Sequence, residues 1–162
     1  AHADINFPLL ACWSQLMTAT KSSAGRSVRP KVNSLMSTKT ILVADDSQTV
    51  LRLMERGLRE AGYRVVLADD GRKAVSLALE EQPDLIVLDI NMPELNGYGV
   101  CHELMVSRIW DEDTPVVFLT SADAPHLATL GDRLGAFLSK PTDPDLLLNT
   151  VENLLQHSKR NH

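Results

Sequence analysis

The chain has 162 residues and is poor in cysteine and in aromatic side chains. Cys12 and Cys101 are its only thiols and stand far apart, which leaves no disulfide framework and no zinc-ligand spacing. Two isolated thiols suit a reducing, cytoplasmic setting, and Cys101 reads most simply as a small buried hydrophobe. Aromatics are only 4% of the residues, so aliphatic side chains must fill the core. No apolar run approaches the roughly 18 residues that a membrane-spanning helix needs. The apolar stretch from Phe7 to Met17 has no basic segment ahead of it, which argues against a secretory signal.

What remains is ordinary globular material, 44% hydrophobic and 23% charged, in a length that suits one domain. The charge is unevenly spread. Residues 1–39 hold Lys21, Arg26, Arg29, Lys31 and Lys39 against Asp4 alone, a net +4, while residues 40–162 hold the other 11 basic and 20 acidic side chains, a net −9. So acidic a body argues against direct nucleic-acid binding. The first 39 residues are Ser-rich and lack sustained periodicity, and are expected to be a poorly ordered leader. Their composition also resembles an organellar transit peptide, and Met36 offers an alternative start just ahead of the regular pattern. The domain is expected over 40–157, with a tail at 158–162.

From Thr40 onward short apolar runs alternate with amphipathic stretches. The runs are Ile41–Ala44, Val65–Ala68, Leu85–Leu88, Val116–Leu119 and Ala136–Leu138, and the first three each meet an Asp at the C-terminal end. Runs this short and continuous predict strands buried on both faces. Between them, helical faces are formed by Val50, Met54, Leu58 and Ala61; by Ala74, Leu77 and Ala78; by Cys101, Leu104, Met105 and Ile109; and by Leu147, Val151, Leu154 and Leu155. A shorter helix is expected from about Pro125 to Leu134. Gly62 closes the first helix, and Asp143-Pro144 reads as N-cap and first turn of the last. Five strand–helix units predict an α/β fold: a flavodoxin-like, doubly wound, five-stranded parallel sheet, strand order 2-1-3-4-5, with five helices. Ligands of such sheets sit at the carboxyl ends of the strands, where this sequence collects its polar residues.

Asp45 and Asp46 follow the first strand, and Asp89 ends its central neighbour. Alone, the Asp45-Asp46 pair could simply turn the chain and cap the first helix, just as Asp69-Asp70-Gly71 reads most simply as a turn. Three carboxylates converging at one sheet edge are different, because they cannot all stay ionised without a cation. A hard divalent ion, Mg²⁺ being the one expected, resolves this with oxygen ligands. Lys140, ahead of Pro141, is by itself an ordinary exposed lysine, but opposite those carboxylates it becomes a point-charge partner for phosphate or carboxylate. Thr120 ends the fourth strand and offers a hydroxyl to the same edge, or simply an N-cap.

Asp45-Asp46, the string Asp89-Ile90-Asn91-Met92-Pro93-Glu94-Leu95-Asn96-Gly97, Thr120 and Lys140-Pro141 occur in that order. On these residues the segment 40–157 resembles the receiver domains of bacterial two-component response regulators, the family of the chemotaxis regulator. The resemblance implies that Asp89 accepts a phosphoryl group from a histidine kinase or histidine phosphotransfer protein. It implies that Asp46, Asp89 and the backbone carbonyl of Asn91 ligate Mg²⁺, with Asp45 acting directly or through water. Lys140 would bind a phosphoryl oxygen and pair with Asp89 beforehand, Thr120 would donate to the phosphoryl group, and Phe137 would be the switch aromatic. A cis peptide is implied at Lys140-Pro141. Output would pass to a downstream protein through the face made by the fourth helix, fifth strand and fifth helix. The implied domain is regulatory and catalyses only its own phosphorylation and dephosphorylation.

Some features depart from that pattern. Thr120 to Lys140 is about two residues shorter than in the chemotaxis regulator, the switch position is Phe rather than Tyr, and Ser121 replaces the commoner Ala. No output module is legible after the last helix, so the chain is expected to signal by contact or to be a fragment of something larger. Three rival readings each meet an obstacle in the sequence. A haloacid-dehalogenase-like phosphatase needs a second Asp two residues after the nucleophile, where Asn91 stands. A flavin binder needs a Ser/Thr/Gly-rich phosphate loop after the first strand, where Asp45 and Asp46 would repel phosphate. A pseudo-receiver interaction module typically lacks an acidic residue or the lysine, and all are here.

Overall fold

The computed structural model describes residues 38–111, 113–121 and 135–158. Five parallel strands, β1 (Thr40–Ala44), β2 (Arg64–Ala68), β3 (Leu85–Asp89), β4 (Val116–Thr120) and β5 (Ala136–Ser139), form one sheet in the order β2-β1-β3-β4-β5. That is the topology the alternation predicts. Four helices lie within the described residues: α1 (Gln48–Glu60), α2 (Gly71–Glu81), α3 (Gly97–Val106) and α4 (Pro144–Ser158). The helix expected from about Pro125 to Leu134 lies outside them, as do the leader and residues 159–162. No helix among the described residues is long and apolar enough to cross a membrane.

The strands bury two faces because helices cover both. On one face Ile41, Val43, Val65, Leu85, Val87, Val117 and Leu119 pack with Leu51, Met54 and Leu58 of α1 and Leu147, Val151 and Leu155 of α4. Alternation along each strand sends Leu42, Ile86, Leu88 and Phe118 to the other face, where α2 packs on β1 and β2 and against α3. Leu85, Ile86, Val87 and Leu88 are all fully buried. Each such side chain contributes about 1.5–3 kcal/mol of burial, which makes β3 a stiff support for Asp89 at its end.

The expectation of burial on both faces holds for β1, β3 and β4 but not for the edges. Val66 and Leu67 in β2, and Ala136 and Phe137 in β5, are only partly buried. An edge strand has one neighbour, and the helices that shield the centre do not fully cover it. Two helical assignments also need correction. The periodicity puts Ile109 on the buried face of the third helix, but α3 ends at Val106, Arg108 turns left-handed (φ 57°), and Ile109 is 68% exposed. Ala61 lies past the end of α1 and is exposed, while Leu51 fills the core instead. Gly62 has φ +94°, and its amide donates to the Arg59 carbonyl, so it does end the helix through a conformation that glycine adopts without strain.

Gly57 lies inside α1, and a Cβ added there would meet nothing within 4 Å. Nothing in the fold therefore offsets glycine's poor helix propensity. Gly57→Ala is expected to raise stability by about 0.5–1 kcal/mol, which urea titration of the two proteins would read directly.

Candidate phosphoacceptor site

The site is assembled by strand register. Asp89 closes β3 and pairs with Leu119, and Thr120 closes β4 and pairs with Ser139. Backbone bonds extend the ladder past the strand ends: Asp45 N donates to Ala68 O (3.1 Å), Ile90 N to Leu119 O (3.0 Å) and Lys140 N to Thr120 O (2.7 Å). Residues far apart in sequence are thereby brought to one edge. Asp45, Asp89 and Thr120 are the buried polar residues among those described, with exposures of 0%, 2% and 7%. Asp46 is exposed at the rim.

Asp45, Asp46 and Asp89 each present a carboxylate oxygen within 4.8 Å of the others. Asp45 Oδ1 accepts from the Ser47 amide (2.8 Å), and Asp89 Oδ1 from the Asn91 amide (3.1 Å). Capping of α1 falls to Ser47, whose hydroxyl accepts from Val50 N, so the acid pair is not the helix cap. Lys140 Nζ lies 2.5 Å from Asp45 Oδ2 and 3.2 Å from Asp89 Oδ2. Buried Asp45 Oδ2 has the Lys140 ammonium as its one close partner. The Lys140–Pro141 bond is cis.

Burial pushes the Asp89 carboxyl above its usual range; the Asn91 amide works against this, the Asp45 charge adds to it, and Lys140 opposes it. Burial likewise disfavours the Lys140 ammonium, but Asp45 and then Asp89 outweigh it and leave Lys140 above its ordinary value. One lysine facing three carboxylates leaves an excess of negative charge. An all-oxygen donor set of three carboxylates with one cationic side chain between them fits a hard divalent cation.

Asp69 follows β2 without joining this cluster, because β2 is the edge strand and the Asp69 carboxylate pairs with Lys73 (2.9 Å). Asp69-Asp70-Gly71 is also more than a turn: Asp70 caps α2 by accepting from the Lys73 amide. Phe137 is partly buried and stacks on Phe118, with ring centroids 5.0 Å apart and planes at 19°; Phe118 in turn meets Tyr98 at 5.5 Å. Nothing in local sequence signals this aromatic row. Nor does local sequence reveal that Asn91 Nδ2 donates to Ser121 Oγ (3.2 Å) across the mouth, or that Lys140 lies nearer Asp45 than Asp89.

A family model described as the response regulator receiver domain matches residues 41–152. The alkaline phosphatase synthesis transcriptional regulatory protein PhoP of Bacillus subtilis is 37% identical over 123 residues, 75% of this chain and 50% of that protein. The probable transcriptional regulator ycf27 of Cyanophora paradoxa is 38% identical over 123 residues, with the same shares covered. The chain thus spans about half the length of these curated relatives. Among solved structures, the chemotaxis protein CheY4 of Vibrio cholerae is similar at 31% identity and a TM-score of 0.65, covering 73% of this chain and 99% of that one. The likeness reaches from β1 into α4 and so includes every strand end at which the acidic cluster and Lys140 are held; the chain belongs to the receiver-domain family of two-component response regulators.

Proposed function

We propose that Asp89 accepts a phosphoryl group from a histidine kinase or histidine phosphotransfer protein, in a Mg²⁺-dependent reaction that switches a protein-interaction face. The observation that carries this reading is the meeting of Asp45, Asp46 and Asp89 with Lys140 at one edge of the sheet. Asp89 Oδ attacks phosphorus in line, the bond from phosphorus to the donor's imidazole nitrogen breaks, and an acyl phosphate forms on Asp89. Lys140 meets the negative charge of the transferring group, and Thr120 donates its hydroxyl to a phosphoryl oxygen. Asp46, Asp89 and the Asn91 carbonyl would hold Mg²⁺, with Asp45 contributing directly or through water, and the ion when bound would neutralise charge on the phosphoryl oxygens.

Closing of Thr120 onto the phosphoryl group leaves room for Phe137 to turn inward from its stack on Phe118. Output then passes to a downstream protein across the face that includes β5 and the last helix, α4. The net charge of −9 over residues 40–162 disfavours direct contact with nucleic acid. The domain is regulatory, turns over no external substrate, and works in the cytoplasm, as its two isolated thiols suit.

The test is incubation of the chain with acetyl phosphate and Mg²⁺, followed by intact mass. The expected product carries one phosphoryl group, is absent in EDTA, and forms at the same rate in a chain beginning at Met36. Steady release of phosphate from an ester would instead mark a phosphatase, and no uptake from any donor would mark an interaction module without phosphoacceptance.

A further inference from the structure

We infer that Gly71 is a positioning residue for the metal-binding loop, an inference that rests on the proposed function above. Gly71 is the first residue of α2 and is buried. Its φ lies outside the left-handed region, so the backbone there does not ask for glycine. The neighbouring chain does. A Cβ on Gly71 would stand 2.0 Å from the Leu95 carbonyl oxygen and 2.8 Å from its carbon, both backbone atoms that cannot swing aside.

Leu95 belongs to the loop that leaves Asp89 and enters α3. That loop is short and closed on itself. Gly97 N donates to Ile90 O (3.1 Å), Leu95 N to Pro93 O (2.7 Å), and Glu94 takes φ +64°. Within it stands Asn91, whose amide holds Asp89 Oδ1. The Leu95 side chain also presses on Gly99, where a Cβ would lie 2.5 Å from Leu95 Cδ1. The loop is thus seated on Gly71 from one helix and Gly99 from the next. Raising the seat at Gly71 shifts Leu95, and ring closure passes the shift to Asn91 and to the oxygens that face the ion. Groups behind metal ligands commonly set affinity in this way.

The experiment compares wild type, Gly71→Ala and Gly57→Ala by titrating Mg²⁺ calorimetrically and by following the Asn91 amide resonance without metal. The expected result is a Mg²⁺ Kd raised about tenfold in Gly71→Ala, a displaced Asn91 resonance, and an unchanged Kd in Gly57→Ala. A folded Gly71→Ala with a Kd within about twofold of wild type would overturn the inference, since groups behind metal ligands usually shift affinity by more. If Gly71→Ala does not fold, Leu95→Ala decides: it keeps the atoms over Gly71 but removes those that press the loop on Gly99, and an unchanged Kd there overturns the inference equally. Wild type that bound no Mg²⁺ would overturn the inference together with the proposed function, whereas a normal wild type beside an unaffected Gly71→Ala would remove the inference alone.

Discussion

Asp89→Asn is expected to abolish phosphoryl uptake from acetyl phosphate and leave the fold intact. The amide keeps the shape of the carboxylate and can still accept from the Asn91 amide, but it has no anionic oxygen to attack phosphorus. The metal-free variant should also be at least as stable as wild type at neutral pH. Burial, with the Asp45 charge adding to it, holds the Asp89 carboxyl above its usual range despite the Asn91 amide and Lys140. A carboxyl whose folded pKa is raised favours the fold while protonated, and that contribution is lost as pH rises through the folded value. A neutral amide does not suffer that loss, so the gain over wild type should be present at neutral pH and shrink as acid protonates Asp89. Intact mass reads the first expectation and urea titrations across pH the second. A Mg²⁺-dependent phosphoryl group on Asp89→Asn would show that the acceptor lies elsewhere.

Lys140→Ala is expected to be the most destabilising single change at the site when metal is absent. Lys140 is the cation that meets both Asp45 and Asp89, and its side chain is 21% exposed. Removing one side of a buried ion pair typically costs roughly 3–5 kcal/mol because a buried charge is left uncompensated. Partial exposure of the ammonium reduces this to about 2–3 kcal/mol. The loss should be largest at neutral pH and fade as acid protonates Asp89, whose carboxyl burial holds above its usual range. Added Mg²⁺ should restore most of it, because the ion replaces the missing positive charge. The same variant is expected to bind Mg²⁺ at least as well as wild type, yet fail to move Thr120 and Phe137 on phosphorylation. A variant that is phosphorylated at the normal rate and shifts those two residues normally would contradict the role given to Lys140.

Much of the fold was legible because its signals are local. Alternation of short apolar runs with 3.6-residue patterns, together with Asp143-Pro144 and Gly62, set out the strand and helix sequence without knowledge of any contact. Right-handed crossovers then left little choice of strand order. The site was legible for a related reason. In a parallel sheet every strand delivers its C-terminal end to the same edge, so Asp45, Asp89, Thr120 and Lys140 could be placed together from their positions alone. Ile109 misled because a helical face says nothing of where the helix stops, and Arg108 stops it through a left-handed turn that residue type did not announce. The partial exposure of β2 and β5 was hidden because an apolar run reads alike at the centre and at the edge of a sheet.

Residue order by itself determined the α/β class, the 2-1-3-4-5 sheet and the set of polar residues at its edge, since these follow from periodicity, connection length and the direction of parallel strands. Tertiary structure alone decided how those residues share their charge and what supports them. Lys140 lies closer to Asp45 than to Asp89, Asp69 pairs with Lys73 outside the cluster, Phe137 stacks on Phe118, and Gly71 lies beneath Leu95. Each depends on distances of a few ångströms between segments remote in sequence, and periodicity carries no information at that scale: it says which face a side chain takes but not what that face meets.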